Sequence, residues 1–118
     1  MKTRTHLSGA LIFAIVAMLL APAAMADWTV AKIDKILLYD SGNLVYVYPH
    51  GGVTNPPACD TVNGQYLSFS MSRSMAREYL SALIAAQSEG ATVQLRGKGD
   101  CIDQGRSETL WYFEINSN

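Results

Sequence analysis

Apolar residues recur at helical spacing in one stretch of the chain, residues 72–89, and at strand spacing almost everywhere else. In that stretch Met75, Tyr79 and Leu83 stand four apart, and Ala76, Leu80 and Ile84 repeat the step one residue on. Together they form one stripe with a period near 3.6, the mark of an amphipathic helix. Ser72 or Ser74 is placed to cap its start, because a serine hydroxyl accepts a hydrogen bond from an orphan N–H of the first turn. Gly90 is placed to end it in the left-handed conformation. The interior holds mostly strong helix formers, with Ile84 the only β-branched residue and no proline. Met75, Tyr79, Leu80, Leu83 and Ile84 are the expected buried stripe. Ala82, Ala85 and Ala86 extend smallness beyond it. They serve either as surface helix formers or as a face where a second copy of the helix packs closely.

Around this helix the pattern is that of short strands. Residues 44–48 (LVYVY) are rich in β-branched and aromatic side chains. Residues 65–70 alternate, with Tyr66, Ser68 and Ser70 on one side and Leu67 and Phe69 on the core side. Residues 91–96 place Val93 and Leu95 on one face. Residues 107–115 place Thr109, Trp111, Phe113 and Ile115 on one face and Leu110, Tyr112 and Glu114 on the other. Residues 28–39 alternate poorly and would also suit a helix. The turn at residues 40–43 (DSGN) followed by residues 44–48 makes them the first arm of a β-hairpin. Residues 53–64 form a loop stiffened by Pro56 and Pro57. The order is strand, strand, strand, helix, strand, strand. That is a mainly β arrangement, a five-stranded OB-fold-like Greek-key barrel with the helix between strands 3 and 4 and plugging one end. An α+β sandwich is the alternative.

Composition refines this picture at the N-terminus. Lys2 and Arg4 precede an apolar run over residues 7–20, and Ala24 and Ala26 offer a small-residue cleavage site. Residues 1–26 therefore read as a secretory signal peptide, and the run is short of the ~20 residues of a membrane span. Residues 27–118 are then a single exported domain, periplasmic or secreted, with no membrane span. The signal peptide takes two of the nine basic residues against ten acidic ones, so the mature domain is acidic. Its basic residues are scattered, which disfavours nucleic acid as a partner. In an exported chain the two cysteines, Cys59 and Cys101, are expected to form a disulfide.

The chemistry of catalysis is sparse. His50 is the only histidine outside the signal peptide, and its Pro-His-Gly-Gly setting suits a solvated turn. Its use as a general base with Asp100 or Asp103 is the least favoured reading. Those aspartates, like Asp60, suit turns. No metal-ligand spacing, phosphate loop or nucleophile elbow is present, so no cofactor, metal or enzymatic activity is expected. Aromatic residues offer recognition instead. Trp111 and Phe113 are expected in the core. Tyr46, Tyr48 and Tyr112, with Arg96 nearby, are expected on an outer face that suits sugar rings or a protein partner.

Residues 78–95 (EYLSALIAAQSEGATVQL) run as a helix, a glycine and a strand opening on a Val-x-Leu step. In this motif and in overall layout the chain resembles the B subunits of subtilase-cytotoxin and pertussis-like toxins. The resemblance implies an OB-fold that assembles as a ring of five with helices lining the centre. Ala82, Ala85 and Ala86 would then be the interface. It further implies binding of sialylated glycans, delivery of a separate catalytic subunit, and a sugar contact at Thr29, the position nearest the family's first-strand serine. The chain lacks the family's longer aromatic loop after the fourth strand and its second cysteine pair. The expected function is an exported, non-enzymatic carbohydrate-binding module. The alternative is a monomeric periplasmic OB-fold protein that binds a protein or small ligand, as an inhibitor or envelope factor.

Overall fold

The computed structural model describes residues 27–116. The signal-peptide expectation for residues 1–26 lies outside the described residues. Six strands and one helix follow in the order β1 (Trp28–Ala31), β2 (Ile33–Tyr39), β3 (Leu44–Pro49), β4 (Leu67–Ser70), α1 (Ala76–Glu89), β5 (Val93–Gly97) and β6 (Leu110–Ile115). They make two three-stranded antiparallel sheets, β1-β5-β6 and β2-β3-β4.

The architecture is thus mainly β with one helix between the hairpin sheet and the last two strands, as the patterning predicts. It differs in having six strands rather than five, and in not closing as a barrel. Residues 28–39 break at Lys32, whose carbonyl accepts the His50 N–H at 2.8 Å. The break lets β1 pair with β5 while β2 pairs with β3. A bulge between Ile33 and Lys35 adds to the bend. This is why the stretch shows no single alternation: Thr29 and Ile33 are buried in one phase, and past the bulge Ile36 packs on the core in the other. On the far side the sheets meet at one parallel bridge, Ser68 to Thr109. There the Ser68 N–H donates to the Glu108 carbonyl at 3.0 Å. The Ser68 and Ser107 hydroxyls also pair at 2.6 Å inside the protein. Residues 107–109, expected as the start of the last strand, form this seam instead.

The core lies between the sheets and under the helix. Val45 and Val47 of β3, Leu67 and Phe69 of β4, Val93 and Leu95 of β5 and Leu110 of β6 close around Leu83 of α1. Each such side chain contributes roughly 1.5–3 kcal/mol by leaving water. The helix begins later than expected, at Ala76, and Met75 at its N-cap provides no side-chain cap. The Ser72 hydroxyl pairs with Ser70 at 2.6 Å, so the expected serine cap does not form. Gly90 does end the helix at φ 64°, its N–H reaching the Ala86 and Gln87 carbonyls.

The buried stripe is rotated toward the alanines. Ala76, Leu83 and Ala86 face the core, with Tyr79 and Leu80 beside them. Met75 and Ile84, expected in the stripe, stay 53% and 44% exposed. Small residues win because they let the helix axis sit close to the sheets. Tyr79 and Arg73 then reach across to β6, the edge of its sheet. The Tyr79 hydroxyl donates to the Trp111 carbonyl at 2.9 Å, and the Arg73 guanidinium donates to the Leu110 and Trp111 carbonyls. Cys59 and Cys101 form the expected disulfide, with Cα atoms 6.0 Å apart, and it ties the β3–β4 loop to the β5–β6 loop. Among the described residues no helix is long and apolar enough to cross a membrane.

Candidate functional site

Alternation along β3 buries Val45 and Val47 and turns Tyr46 and Tyr48 outward. On the neighbouring β2, Lys35 is opposite Tyr48, Leu37 opposite Tyr46, and Tyr39 opposite Leu44. Tyr66, just before β4, completes a row of rings across this outer face. Tyr46 and Tyr66 stack at 4.4 Å with planes 16° apart. Tyr39 stacks on Tyr46 at 5.9 Å, and Tyr48 leans on Tyr66 at 5.0 Å. The Lys35 ammonium sits 4.0 Å above the centre of the Tyr48 ring. Tyr39 is exposed, Tyr46 and Tyr48 are half-buried, and Tyr66, between those two, is buried. Burial and the neighbouring tyrosines raise the pKa values of the Tyr48 and Tyr66 phenols. Both therefore keep their protons near neutrality and remain hydrogen-bond donors as well as acceptors.

One wall of this ladder is the β5–β6 loop. The Gln104 side-chain amide donates to the hydroxyls of both Tyr46 and Tyr66 at 3.4 Å. The loop is pinned at many points. Asp103 accepts the Ser70 N–H at 2.8 Å, and Arg73 lies 3.7 Å from the same carboxylate. The Thr109 hydroxyl oxygen accepts the N–H groups of Ile102 and Asp103 at 3.1 and 3.3 Å. The Arg106 carbonyl accepts the Thr61 N–H at 2.8 Å, and the Gln104 side-chain oxygen accepts the Arg106 N–H at 2.8 Å. In the facing β3–β4 loop, Asp60 Oδ1 accepts the Val62 and Gly64 N–H groups at 3.0 Å, while its Oδ2 is buried without a partner. The disulfide joins the two loops beside this point.

Behind the wall lies Glu108, only 1% exposed. Its carboxyl group occupies the space that a side chain at position 97 would take, so Gly97 is required there. It accepts the Gly99 N–H at 2.9 Å. Burial pushes its pKa up to about 7, opposed by the Gly99 hydrogen bond. Asp60 and Asp100 push in the same direction as burial, and Arg96 opposes them. Sequence reasoning missed this group. Its alternation phase runs through Leu110, which is buried, but also through Tyr112 and Glu114, which are exposed, so alternation alone does not mark it.

The sequence-predicted ligand residues divide between two faces. Tyr46 and Tyr48 belong to the ladder. Arg96 and Tyr112 are cross-strand partners on the outer face of the other sheet. There the Arg96 guanidinium covers Trp28 at 5.3 Å, and Tyr112 meets Trp28 and Trp111 edge-on at 5.4 and 5.2 Å. Trp111 is 48% exposed rather than buried, because the ladder slips between Arg96 and Gly97 and turns it outward. Phe113 packs against the core as expected, although partly exposed.

Thr29 is on neither face. It is 2% exposed, and its hydroxyl oxygen accepts the Thr54 N–H at 3.0 Å, so it serves the fold rather than a ligand. Ala86 is 1% exposed in the core, so its smallness admits the chain's own sheets and not a second copy. Ala82 is half-buried and Ala85 exposed. His50 pairs with Asp34 at 3.0 Å on the surface, not with Asp100 or Asp103. Those two carboxylates instead accept the Ile102 and Ser70 N–H groups at 3.2 and 2.8 Å. Among the described residues, no group of three or more His, Cys, Asp or Glu is gathered for a metal ion.

Alternation alone placed Tyr46 and Tyr48 outside. Tyr39, Tyr66, Lys35 and Gln104 join them through strand pairing and loop tethering, which act over long sequence separations. Comparison with protein-family models, curated proteins and solved structures returns no match.

Proposed function

We propose that the chain is an exported, non-enzymatic binding module whose tyrosine ladder receives a carbohydrate. The carrying observation is the stack of Tyr46 on Tyr66, flanked by Tyr39 and Tyr48 and bordered by Gln104. A sugar ring presents an apolar C–H face that packs on a phenol ring, and a rim of hydroxyls that needs donors and acceptors. The ladder offers both through its ring faces, its hydroxyls and the Gln104 amide. The topology supports the same reading. If β1 and β2 are counted as one bent strand, β3 and β4 are the second and third strands of an OB-fold-like arrangement, and the Gln104 loop joins its last two. That face and that loop are where OB-folds take oligosaccharides.

The test is glycan-array binding by residues 27–118, followed by titration of the best array hit against Tyr48→Ala. Losing one ring contact worth about 0.5–1.5 kcal/mol weakens binding roughly 2- to 10-fold. A silent array, or unchanged affinity in Tyr48→Ala, would refute the assignment. A second reading is assembly into a toxin-B-like ring through the exposed side of α1, where Ile84 and Ala85 stand among Arg77, Glu78, Ser81 and Ser88. The ring would carry a separate catalytic subunit. A monomeric mass in solution would favour instead an envelope factor acting alone.

A further inference from the structure

We infer that the outer face of the β1-β5-β6 sheet carries a second binding site, centred on Arg96, for an oxyanion borne on a planar ring. It lies on the other sheet from the tyrosine ladder and does not depend on what the ladder binds. Strand register builds it. Trp28 of β1 and Tyr112 of β6 are the partners of Arg96 on its two sides, so one row across all three strands reads Trp28, Arg96, Tyr112. The outer members of the row stand two strands apart, yet their rings meet at 5.4 Å with planes 83° apart. They therefore lean together over the arginine between them. Its guanidinium lies 5.3 Å from the centre of the Trp28 ring, and its Nε is buried with no partner.

The rest of that guanidinium is unused. Among the described residues the ion pairs are His50 with Asp34 and Arg73 with Asp103, so Arg96 has none. Arg73 donates to the carbonyls of β6, and the Nε of Arg106 donates to Thr61. Arg96 makes no such hydrogen bond, and of its nitrogens only Nε is shut off from water, so both Nη groups reach solvent. A guanidinium held against an indole, with no acceptor of its own, has its fork oriented in advance. With Nε closed, the end-on pair of Nη groups remains. That pair matches the two oxygens of a carboxylate or phosphate.

The ring of the ligand meets aromatic surface. Tyr112 is 37% exposed, and Trp111, turned outward beside it, is 48% exposed. Their rings meet at 5.2 Å with planes 69° apart. They form an open corner, where a flat ring packs face-on against one wall and edge-on against the other. Glu114 stands one row along, opposite Gln94, exposed and beyond salt-bridge distance of Arg96. It opposes an anion here, and so supplies a test of opposite sign. An acid without a ring finds only the fork, and a ring without an acid leaves Arg96 unpaired.

Trp28 and Trp111 are the only tryptophans of the chain, so intrinsic fluorescence reads this face alone. The chain would be titrated at constant ionic strength with benzoate and with phenyl phosphate. Benzamide and acetate serve as the probes that lack the charge and the ring. Benzoate or phenyl phosphate should give a saturable change with a dissociation constant on the order of 10 mM or below, the scale of fragment-sized ligands. The tighter of the two tells whether the fork takes a carboxylate or a phosphate. Benzamide should bind at least roughly tenfold more weakly, and Arg96→Gln should weaken the anions by about the same factor. Acetate should bind roughly 2- to 10-fold more weakly than benzoate. Glu114→Gln should tighten the anions about 2- to 5-fold. Equal binding of benzoate and benzamide would overturn the site. So would wild-type affinity in Arg96→Gln, or no saturable change from either anion. The neutral probe decides in the unaltered chain even if Arg96→Gln folds poorly.

Discussion

Replacing Gly97 with alanine tests the placement of Glu108 more sharply than removing the acid does. A methyl group at position 97 would overlap the carboxyl carbon and both oxygens of Glu108. The backbone there is ordinary β5 strand, so φ and ψ present no obstacle. With nothing in the way, Gly→Ala would stabilise the chain by about 0.4–1 kcal/mol through the unfolded state. Overpacking costs about 1–3 kcal/mol, and expelling the carboxyl group leaves the Gly99 N–H unpaired at about 1–3 kcal/mol. The net expectation is a loss of roughly 2–4 kcal/mol, a large share of the ~5–15 kcal/mol typical of a domain.

Urea unfolding followed by tryptophan fluorescence measures this, provided the m-value is unchanged. The decisive comparison is with Gly97→Ala in a Glu108→Ala background. There the obstacle is gone, and the methyl group should be neutral or stabilising. The two substitutions should therefore couple by roughly 2–4 kcal/mol. Equal effects of Gly97→Ala in both backgrounds, or a stabilised single variant, would show that the Glu108 carboxyl group does not occupy this space.

Further outcomes follow from the same structure. Glu108 has a raised folded pKa, so its protonation supports the fold fully below the ordinary value of 4.5, and that support is lost as pH rises to about 7. By denaturant melts the wild type should lose about 3 kcal/mol across that window, while Glu108→Gln should lose none from this position. Replacing Cys59 and Cys101 together by serine frees a 42-residue separation. That should cost up to about 4 kcal/mol in chain entropy, measured as a lowered urea midpoint. Ala85→Arg should reduce the particle mass in light scattering if α1 lines a ring. In a monomer it should change stability by no more than about 0.5 kcal/mol.

Much of the fold is legible in local pattern. The helix, four of the strand runs and the disulfide follow from spacing, turn residues and the cysteine count. What escapes local pattern depends on distance between elements. Hydropathy ranks Met75 and Ile84 above Ala76 and Ala86, yet burial on α1 went to the alanines, because the helix settles where it can approach closest. The break at Lys32 escapes because each half of residues 28–39 answers to a different sheet. Of the ladder, Tyr46 and Tyr48 are visible in alternation. Gln104 reaches them only through the disulfide-tethered loop, and Tyr66 is placed by β4. Thr29 shows the converse: a plausible hydroxyl by position, committed to the Thr54 N–H once the β3–β4 loop folds over β1.

The reach of Arg73 and Tyr79 across to β6 has a consequence for self-association. Open sheets invite a foreign strand along their edges, and a chain whose sheets do not close must guard them. Here two carbonyls of β6, at Leu110 and Trp111, are occupied by side chains from the region of α1. The guard thus belongs to an element that docks by apolar packing. Anything that loosens the helix uncovers the edge at the same moment, so partial unfolding and strand-to-strand aggregation start from a single event.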